Sequence, residues 1–408
     1  MAANLQPKQI GAETQSGPRR GLRLLLSGGG TGGHVYPLLA IAEAMDAAQG
    51  ADAQGADARN EDGPVPEYLY VGSPGGMEAS ILARTEMPYR AVDSAPIRGA
   101  APWTLVSNLA HLWRGYRQSL RLLAEWPADV VLVSGAYVCV PVALAALRRR
   151  IPVLVYLPDR EPGLAIRLLS RWVDRIAVSF DEVVEAFPAT QRDKVWVSGY
   201  PVRADLLRAR EMDRGAACAA LGLDPELKTL LILGGSRGAR AINQALVAAL
   251  PDLLEHCQIV HISGQLDQEW VREASAKLPE RLRARHHPTP YMHEELAAAM
   301  AAADLVVARA GAATLAEFPA VGLPSVLVPY PYSGQHQAAN ADFMARHGAG
   351  VRVDNDDLAT KLKPTVLGLL GDERALAQLA QGAQALARPD AASRLAQELR
   401  RLAGGKAV

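Results

Sequence analysis

Cysteine is scarce in this chain, and long hydrophobic runs are missing. The 408 residues include three cysteines, Cys139, Cys218 and Cys257, and no two of them form a C-x-x-C pair. A disulfide framework and a cysteine-rich zinc site are therefore not expected, and a reducing cytoplasm is the predicted compartment. No run of about 20 apolar residues occurs either, so the sequence predicts no membrane-spanning helix.

An excess of one charge is also missing. Lys and Arg together number 43, Asp and Glu together number 43, and the formal net charge is +0. The basic excess that is typical of general nucleic-acid-binding proteins is absent, so we expect no nucleic-acid partner. Residues 1–20 are polar and contain no apolar core of a secretion signal, and we expect them to form a disordered leader.

Glycine, in contrast, is abundant and clusters behind the first predicted strand. The segment 27–34 reads Ser-Gly-Gly-Gly-Thr-Gly-Gly-His, Pro37 then opens a helical pattern over 36–49, and a surface loop is predicted over 50–66. Glycine lets the backbone approach a ligand closely, and the free N–H groups of a helix start attract an anion. We interpret the segment as a cradle for a phosphate or diphosphate, with His34 beside it as a group that can exchange a proton near neutral pH.

Other interpretations of this glycine segment are weaker. Gly28, Gly30 and Gly33 fit the dinucleotide fingerprint, which also requires an acidic residue after the second strand. The second predicted strand, over 68–73, ends without one, which disfavours an NAD-dependent oxidoreductase. No Gly-Lys-Ser or Gly-Lys-Thr follows, so the segment is not a P-loop. A tight turn that needs glycine only for its geometry remains the simplest alternative.

Apolar strands alternate with helical segments along the chain, which indicates parallel sheets covered by helices on both faces. One array starts with a strand over 22–26 and a second starts with a strand over 229–233. The predicted fold class is therefore α/β, with two doubly wound Rossmann-like domains over residues 21–200 and 201–408. Ligands of such sheets bind beyond the carboxyl ends of the strands, so the glycine loops of both domains should line one interdomain cleft.

Polar groups follow two strand ends of the second array. In the segment 234–238 the backbone amides, the Ser236 hydroxyl and Arg237 can bind diphosphate oxygens. In the segment 309–317 a strand end delivers small residues to a helix start, and Glu317 follows one turn later, where it can accept hydrogen bonds from a ribose diol. A tight turn and a solvated glutamate are the respective alternatives.

Two amides complete a set of motifs that resembles a known family. Gln337 and Asn340 share one helix face and can satisfy the hydroxyls of a neutral sugar, although such amides are also common on surfaces. Together with the segments 28–37, 234–239 and 309–317, they are similar to the motif set of the lipid-intermediate N-acetylglucosaminyltransferases of peptidoglycan synthesis. These enzymes are inverting glycosyltransferases of the two-Rossmann GT-B fold, and the resemblance extends from about residue 22 to the C-terminal helices.

The resemblance implies that the C-terminal domain binds UDP-N-acetylglucosamine as the donor. Tyr291-Met292 resembles a segment whose backbone reads uracil, Glu317 would hold the ribose, and Arg203 resembles an arginine beside the nucleotide. The last helix of the C-terminal domain is a candidate to pack against the N-terminal domain. The residues implied in donor binding are Arg203, Ser236, Arg237, Met292, Ala312, Ala313, Thr314, Glu317, Gln337 and Asn340.

The acceptor implied by the resemblance is a muramoyl-pentapeptide linked to undecaprenyl diphosphate. His34 would lie by the reacting hydroxyl, and its ordinary pKa of about 6.5 suits a general base. No Asp-x-Asp motif occurs at the predicted sugar-nucleotide site, so we expect no metal and no other cofactor. The residues implied to hold the acceptor diphosphate are Gly30, Thr31, Gly32, Gly33 and Tyr137.

The chain departs from the family pattern at one segment. The family usually carries His-Glu-Gln-Asn after the strand predicted over 152–156, and the aligned positions here read Tyr156-Leu157-Pro158-Asp159. Asp159 and Glu161 are the two candidates to replace the missing polar contacts, and Asp159 is the second candidate for the base. A related UDP-glycosyltransferase that acts on another lipid or on a small-molecule acceptor is the alternative function. A non-catalytic sugar-nucleotide-binding protein is a third, but its expected loss of His34, Glu317 or Gln337 is not seen.

A lipid acceptor also implies contact with a membrane surface. The stretch 96–121 combines apolar and aromatic residues with four arginines, which suits an interface with anionic lipid. An ordinary amphipathic helix packed on the sheet is the alternative, and different faces of one helix can serve both roles. The expected location is the cytoplasmic face of the cell membrane, as a peripheral protein. The residues concerned are Arg98, Trp103, Leu105, Val106, Leu109, Leu112, Trp113, Arg114, Tyr116, Arg117 and Arg121.

Overall fold

Two parallel sheets organise the chain in a computed structural model, which describes residues 20–55, 65–96, 102–235, 238–332 and 336–405. The first sheet has seven strands in the order β3-β2-β1-β4-β5-β6-β7. Its strands are β1 (Arg23–Ser27), β2 (Glu67–Gly72), β3 (Tyr89–Ala91), β4 (Val130–Val133), β5 (Val153–Leu157), β6 (Arg175–Val178) and β7 (Val195–Val197).

The second sheet has six strands in the order β10-β9-β8-β11-β12-β13. Every strand pair of both sheets is parallel, which confirms the predicted α/β fold class with two Rossmann-like domains. The strands of the second sheet are β8 (Thr229–Leu233), β9 (Gln258–Ile262), β10 (His286–Thr289), β11 (Leu305–Arg309), β12 (Ser325–Val328) and β13 (Gly350–Arg352).

Helices connect the strands and cover the sheets, because parallel strands require crossover connections. Three short 3-10 helices also occur, at Asp181–Ala186, Ala189–Lys194 and Asn355–Asp357. The α-helices are α1 (Gly32–Gly55), α2 (Met77–Leu82), α3 (Pro102–Glu125), α4 (Cys139–Arg148), α5 (Leu164–Leu169), α6 (Ala204–Ala209), α7 (Arg214–Leu221), α8 (Arg240–His256), α9 (Gln268–Ala276), α10 (Glu280–Arg283), α11 (Glu295–Ala302), α12 (Thr314–Val321), α13 (His336–Arg346), α14 (Leu358–Leu370), α15 (Glu373–Leu386) and α16 (Ala391–Gly404).

The centre of each sheet explains its continuous apolar strands. Leu25 of β1 pairs with Leu69 of β2 on one side and Val131 of β4 on the other, and all three side chains are buried. Both faces of these strands are covered, so apolar and polar residues do not alternate along them. The chain reverses its direction of winding between β1 and β4, and again between β8 and β11, which places a crevice at the carboxyl end of each pair.

The first helix differs from the prediction at both ends. It begins at Gly32, inside the glycine segment, and Pro37 lies within it and does not open it. Proline has no N–H, so the carbonyl of Gly33 receives no helical bond from position 37. The Tyr200 hydroxyl lies 3.5 Å from that carbonyl oxygen and takes the place of the missing donor. The helix also continues to Gly55, where a surface loop was predicted, and residues 56–64 lie outside the described part of the chain.

Strand β10 was not predicted, because His286, His287 and Pro288 give no apolar alternation. It nevertheless pairs in parallel with β9 at the edge of the second sheet. Helix α5 was also missed, since six residues between two turns are too few to show a helical period.

Helix α16 returns to the first domain after the second sheet is complete. Its Leu395 and Leu399 join the same buried cluster as Ile41 and Met45 of α1. Arg400 donates a hydrogen bond of 2.8 Å to the Met45 carbonyl oxygen, and other contacts join α16 to β6 and β7. The domain boundary at residues 200 and 201 stays a prediction, and it falls in the segment between β7 and α6.

A buried polar network joins α8, β9 and β10 behind the second glycine loop. His261 Nε2 lies 3.0 Å from Asn243 Oδ1, and His261 Nδ1 lies 3.3 Å from His286 Nε2. Asn243 donates to Asp267 at 2.9 Å, and Asp267 also pairs with Arg240, the first residue of α8. Burial lowers the pKa of His261 to about 3 and that of His286 to about 4, so both rings are neutral at pH 7.

We expect this histidine pair to make the protein less stable in mild acid. The unfolded state binds protons on both histidines near their ordinary pKa of about 6.5, whereas the folded state binds them only near pH 4 and below. The free energy of unfolding should therefore fall between pH 7.5 and pH 5.5 by about 1 kcal/mol per histidine. Urea denaturation at the two pH values measures this loss.

The variant His286→Gln removes one of the two titrating groups, so its loss between the same pH values should be smaller by about 1 kcal/mol. His256→Gln, at an exposed position near the end of α8, is the matched control. An equal loss in the wild-type protein and in His286→Gln would contradict this account.

Candidate active site in the interdomain cleft

The glycine segment brings His34 to the carboxyl edge of the first sheet. Because α1 begins at Gly32, His34 lies in its first turn, and its Nδ1 is 3.0 Å from Thr31 Oγ1. Gly30 has φ +82°, a conformation that favours glycine. Gly32 and Gly33 are half-buried, whereas Gly30 and Thr31 are exposed, so the backbone of this loop is open to a ligand from the cleft.

The loop after β4 holds His34 from the other side of the crevice. Ser134 is fully buried, and its hydroxyl donates a 2.7 Å hydrogen bond to the His34 carbonyl oxygen. Gly135 has φ +119°, and a Cβ at this position would lie 3.1 to 3.2 Å from the edge of the His34 ring. Beneath this loop, burial raises the pKa of Cys139 to about 12, so its thiol stays protonated. Tyr137, another predicted acceptor residue, is 42% exposed at the same edge.

Asp159 lies beside the imidazole. Its Oδ2 is 3.5 Å from His34 Nε2, and both side chains are partly exposed. The loop after β5 places it there, because β5 neighbours β4 in the sheet and ends at the same edge. The two residues considered as alternative bases are therefore in contact with each other, and a charged imidazole would be paired with a carboxylate.

In the second domain, the loops after β8 and β11 lie at the carboxyl edge of the sheet, and each leads into a helix start. Gly235 and Gly238 have φ +77° and +79°, and α8 begins two residues later at Arg240. Ser236 and Arg237, predicted to bind diphosphate, lie outside the described residues. Helix α12 begins at Thr314 directly after Ala312 and Ala313, and its amino end faces the same edge of the sheet.

Glu317 lies in the first turn of α12 near a cluster of ring and guanidinium groups. Burial raises its pKa, and the nearby Arg203 opposes that shift. The Arg203 guanidinium carbon is 5.3 Å from the centre of the Tyr36 ring, and the Tyr36 hydroxyl is 3.3 Å from the Tyr291 hydroxyl. Burial, followed by this bond to Tyr291, raises the pKa of Tyr36. The segment with Met292 thus meets α1 of the first domain across the cleft.

Helix α13 carries the two predicted amides. Asn340 is buried and donates 2.9 Å to the Ala310 carbonyl oxygen, and its Oδ1 has no hydrogen-bond partner among the described residues. Gln337 Oε1 accepts from the Tyr330 N–H at 2.9 Å. A buried amide oxygen without a partner is costly, so the Asn340 side chain suits a ligand that donates a hydrogen bond.

Three residues of the first domain that the sequence did not point to also reach the second domain. Tyr36 contacts Tyr291, Arg84 bonds to the His293 ring, and Arg160 donates to the Ala339 carbonyl oxygen. Each acts through a partner more than 170 positions away, so no local pattern marks Tyr36 or Arg84. Arg160 directly follows Asp159, which was the one available signal.

The cleft combines groups that suit an anion with groups that can exchange a proton. Helices α1 and α12 begin at the carboxyl edges of their sheets, and His34, in the first turn of α1, has the Asp159 carboxylate beside it. Within the ranges that the structure describes, no three His, Cys, Asp or Glu side chains lie close enough together to hold a metal ion. None of the described helices combines the length and apolar character that crossing a membrane requires.

Comparison with known proteins agrees with this geometry. Residues 24–178 match the profile of the glycosyltransferase family 28 N-terminal domain, and residues 229–395 match that of its C-terminal domain. The crystal structure of Acinetobacter baumannii MurG superposes with a TM-score of 0.67 at 27% identity, covering 93% of this chain and 99% of that one.

Two curated relatives of this chain carry the same name. The chain is 42% identical over 418 residues to the UDP-N-acetylglucosamine–N-acetylmuramyl-(pentapeptide) pyrophosphoryl-undecaprenol N-acetylglucosamine transferase of Roseiflexus sp. (strain RS-1), covering 92% of this chain and 94% of the relative. It is 38% identical over 394 residues to the protein of the same name from Desulforudis audaxviator (strain MP104C), with 94% and 99% coverage. The resemblance predicted from the motifs is confirmed.

Gly135→Ala should destabilise the protein and displace His34. A non-glycine residue at φ +119° is strained by about 1–3 kcal/mol, and its Cβ would press on the imidazole edge. Urea denaturation measures the loss of stability. Gly163→Ala is the matched control, because Gly163 has φ −64° and open space around the new methyl. Equal stabilities for the two variants would show that the loop after β4 relaxes without cost.

Proposed function

The chain belongs to glycosyltransferase family 28, and we propose that it transfers N-acetylglucosamine from UDP-N-acetylglucosamine to muramoyl-pentapeptide diphospho-undecaprenol. The proposal is supported by the activity for which relatives that align over more than nine-tenths of this chain are named. The observation that carries it is that the carboxyl edge of each sheet has a loop that leads into a helix start suited to an anion, with His34 in the first of them, since donor and acceptor are both diphosphates.

His34 acts as the general base in this proposal. When the proton of the neutral ring is on Nδ1, the Nδ1–H group donates a hydrogen bond to Thr31 Oγ1. The lone pair of Nε2 is then available to accept a proton. The acceptor hydroxyl gives its proton to Nε2 while its oxygen bonds to the anomeric carbon. The bond from that carbon to the diphosphate oxygen breaks, and UDP leaves with the electron pair. Asp159, 3.5 Å from Nε2, stabilises the imidazolium that forms.

The donor groups follow the same geometry. The loop at Gly235 and the start of α12 offer N–H groups to the departing diphosphate, which stabilises its charge without a divalent metal. Glu317 accepts hydrogen bonds from the ribose hydroxyls, and Met292 adjoins the uracil ring. The Asn340 side-chain Oδ1 accepts a hydrogen bond from a sugar hydroxyl, which satisfies a buried atom that has no partner among the described residues. Gly30 to Gly33 hold the acceptor diphosphate.

A second candidate is transfer of the same sugar to another lipid or to a small-molecule acceptor. It is favoured by one observation, the replacement of the family's His-Glu-Gln-Asn by the segment 156–159, which adjoins the proposed acceptor side. The donor side is the same for both candidates, so the acceptor alone distinguishes them.

The transfer assay that tests this proposal uses UDP-N-acetylglucosamine and the muramoyl-pentapeptide lipid in the presence of EDTA. We expect product from the wild-type protein, and His34→Ala should lower kcat by about 10²–10⁴-fold through loss of the base. Product only on a different acceptor would select the second candidate, and activity only after Mg²⁺ is restored would contradict the metal-free account.

A double-mutant cycle separates the roles of His34 and Asp159. If Asp159 acts by stabilising the His34 imidazolium, Asp159→Asn lowers kcat in the wild-type background and has no further effect beside His34→Ala. A further loss of kcat in the double variant would instead identify Asp159 as a base in its own right.

We also propose that the protein docks on the cytoplasmic face of the membrane through one end of α3 and α5, as a peripheral protein. Val106, Leu109 and Trp113 recur at helical spacing on α3 and are 51–73% exposed, and Leu164 of α5 is 48% exposed. The opposite face of α3, including Ser119, is buried against the domain, so the helix serves both predicted roles. Both helices begin at the edge of the sheet that carries the glycine segment.

Basic residues flank this apolar surface. Arg114, Arg117 and Arg121 are exposed on α3, where they can attract anionic headgroups. Of the other residues predicted for this surface, Arg98 lies outside the described residues, and nothing is described for the side chains of Trp103 and Leu105.

Replacing Leu109 and Trp113 together by serine should weaken membrane binding. Loss of two exposed apolar side chains lowers the partition coefficient onto vesicles by at least about tenfold. Cosedimentation with phosphatidylglycerol-containing vesicles measures it. Leu266→Ser, at a position 72% exposed on the second domain, is the matched control. Equal sedimentation of the double variant and the control would move the docking surface elsewhere.

A further inference from the structure

The loop between β5 and α5 touches both halves of the cleft through two adjacent residues. Asp159 lies beside His34, and Arg160, the next residue, reaches helix α13 of the second domain. We propose that Arg160 is a positioning residue for the donor sugar, which holds α13 against the first domain. This inference rests on the proposed function, because it concerns the helix that carries Gln337 and Asn340.

Three contacts define the position of the Arg160 side chain. Its Nη1 donates a 2.8 Å hydrogen bond to the Ala339 carbonyl oxygen. Its guanidinium carbon is 5.0 Å from the centre of the Phe343 ring, one turn further along α13. Its Nη2 pairs with Glu182, a residue of the first domain. Arg160 thus bridges a carboxylate of one domain and a helix of the other.

The chemistry of these contacts calls for arginine. A guanidinium is a planar fork that can bond a carboxylate and a carbonyl at the same time while its face lies on an aromatic ring. A lysine ammonium is a point charge and cannot reproduce the stacked geometry. The Arg160 side chain is only 16% exposed, whereas its partner Glu182 is 50% exposed, so the guanidinium is buried in the interface while the carboxylate stays open to water.

The contact falls on the turn of α13 that carries the sugar-binding amides. Ala339 lies between Gln337 and Asn340, and Phe343 is one turn beyond Asn340. Asn340 is already fixed from within its own domain by the bond to the Ala310 carbonyl oxygen. Arg160 fixes the same turn from the opposite side of the cleft, so the helix cannot shift without losing one of the two contacts.

Helix α13 is also held within its own domain, where its Ala341 and Met344 side chains are buried in the core. A cavity of about 310 Å³ lies between the domains next to the Arg160 contact, and its walls include Glu182, Tyr200 and Phe343. The Phe180 and Phe343 rings meet edge to face at 5.7 Å beside it. Arg160 therefore adds a directional hydrogen bond to the ring contact by which the first domain meets this part of α13.

Binding of the free nucleotide and of the sugar nucleotide separates this role from a general structural one. Helix α13 holds the sugar, whereas the uridine and diphosphate groups bind to other elements. Arg160→Ala should therefore raise the Kd for UDP-N-acetylglucosamine about tenfold relative to the Kd for UDP, both measured by titration calorimetry on the full chain. An unchanged ratio of the two constants, whether both change by the same factor or neither changes, would overturn the inference.

Two further variants make the result specific. Arg346→Ala removes an exposed arginine from the same helix and should keep the wild-type ratio. Arg160→Lys keeps the charge but loses the fork, so its ratio should shift in the same direction as that of Arg160→Ala. Full rescue by lysine would show that charge alone acts and would overturn the geometric role.

The controls also separate this inference from the proposed function. A wild-type protein that binds neither ligand would overturn the proposed function, and the inference with it. A wild-type protein that binds both ligands, beside an Arg160→Ala variant with an unchanged ratio, would overturn the inference alone.

Discussion

Parallel strands end at one edge of their sheet, and this constraint brings the candidate catalytic groups of the protein together. The loops after β1, β4 and β5 bring Thr31, Gly135 and Asp159 around one imidazole, although these residues are far apart in sequence. The loops after β8 and β11 do the same for the donor side. No single loop forms the site, and the crevices arise where the winding of each sheet reverses.

Backbone groups and ionisable side chains divide the work of the cleft. Helix starts and glycine loops supply fixed partial charges, which need no titration and no reorganisation when a diphosphate arrives. The titrating groups are few and specifically placed. Burial raises the pKa of Glu317, and the nearby Arg203 opposes that shift, so its charge is set by two opposing effects.

Much of this arrangement could be predicted from the sequence, because continuous apolar strands and glycine clusters are local signals. The start of α1 could not, since glycine disfavours helices and Pro37 suggested an opening, whereas the Tyr200 hydroxyl compensates the missing N–H from far along the chain. Asp159 and His34 were each identified, but their contact depends on the neighbouring positions of β4 and β5. Arg160 was missed because its partners, Glu182, Ala339 and Phe343, are joined to it only by the tertiary fold.

The return of α16 to the first domain has a consequence for the order in which the molecule is assembled. The sheet of that domain leaves the ribosome early, but the face of α1 with Ile41 and Met45 is covered by Leu395 and Leu399, which are synthesised only after the whole second sheet. The first domain is therefore begun first and finished last. Until then it exposes an apolar face in the cell, and a chain released before α16 would keep that face uncovered and open to aggregation.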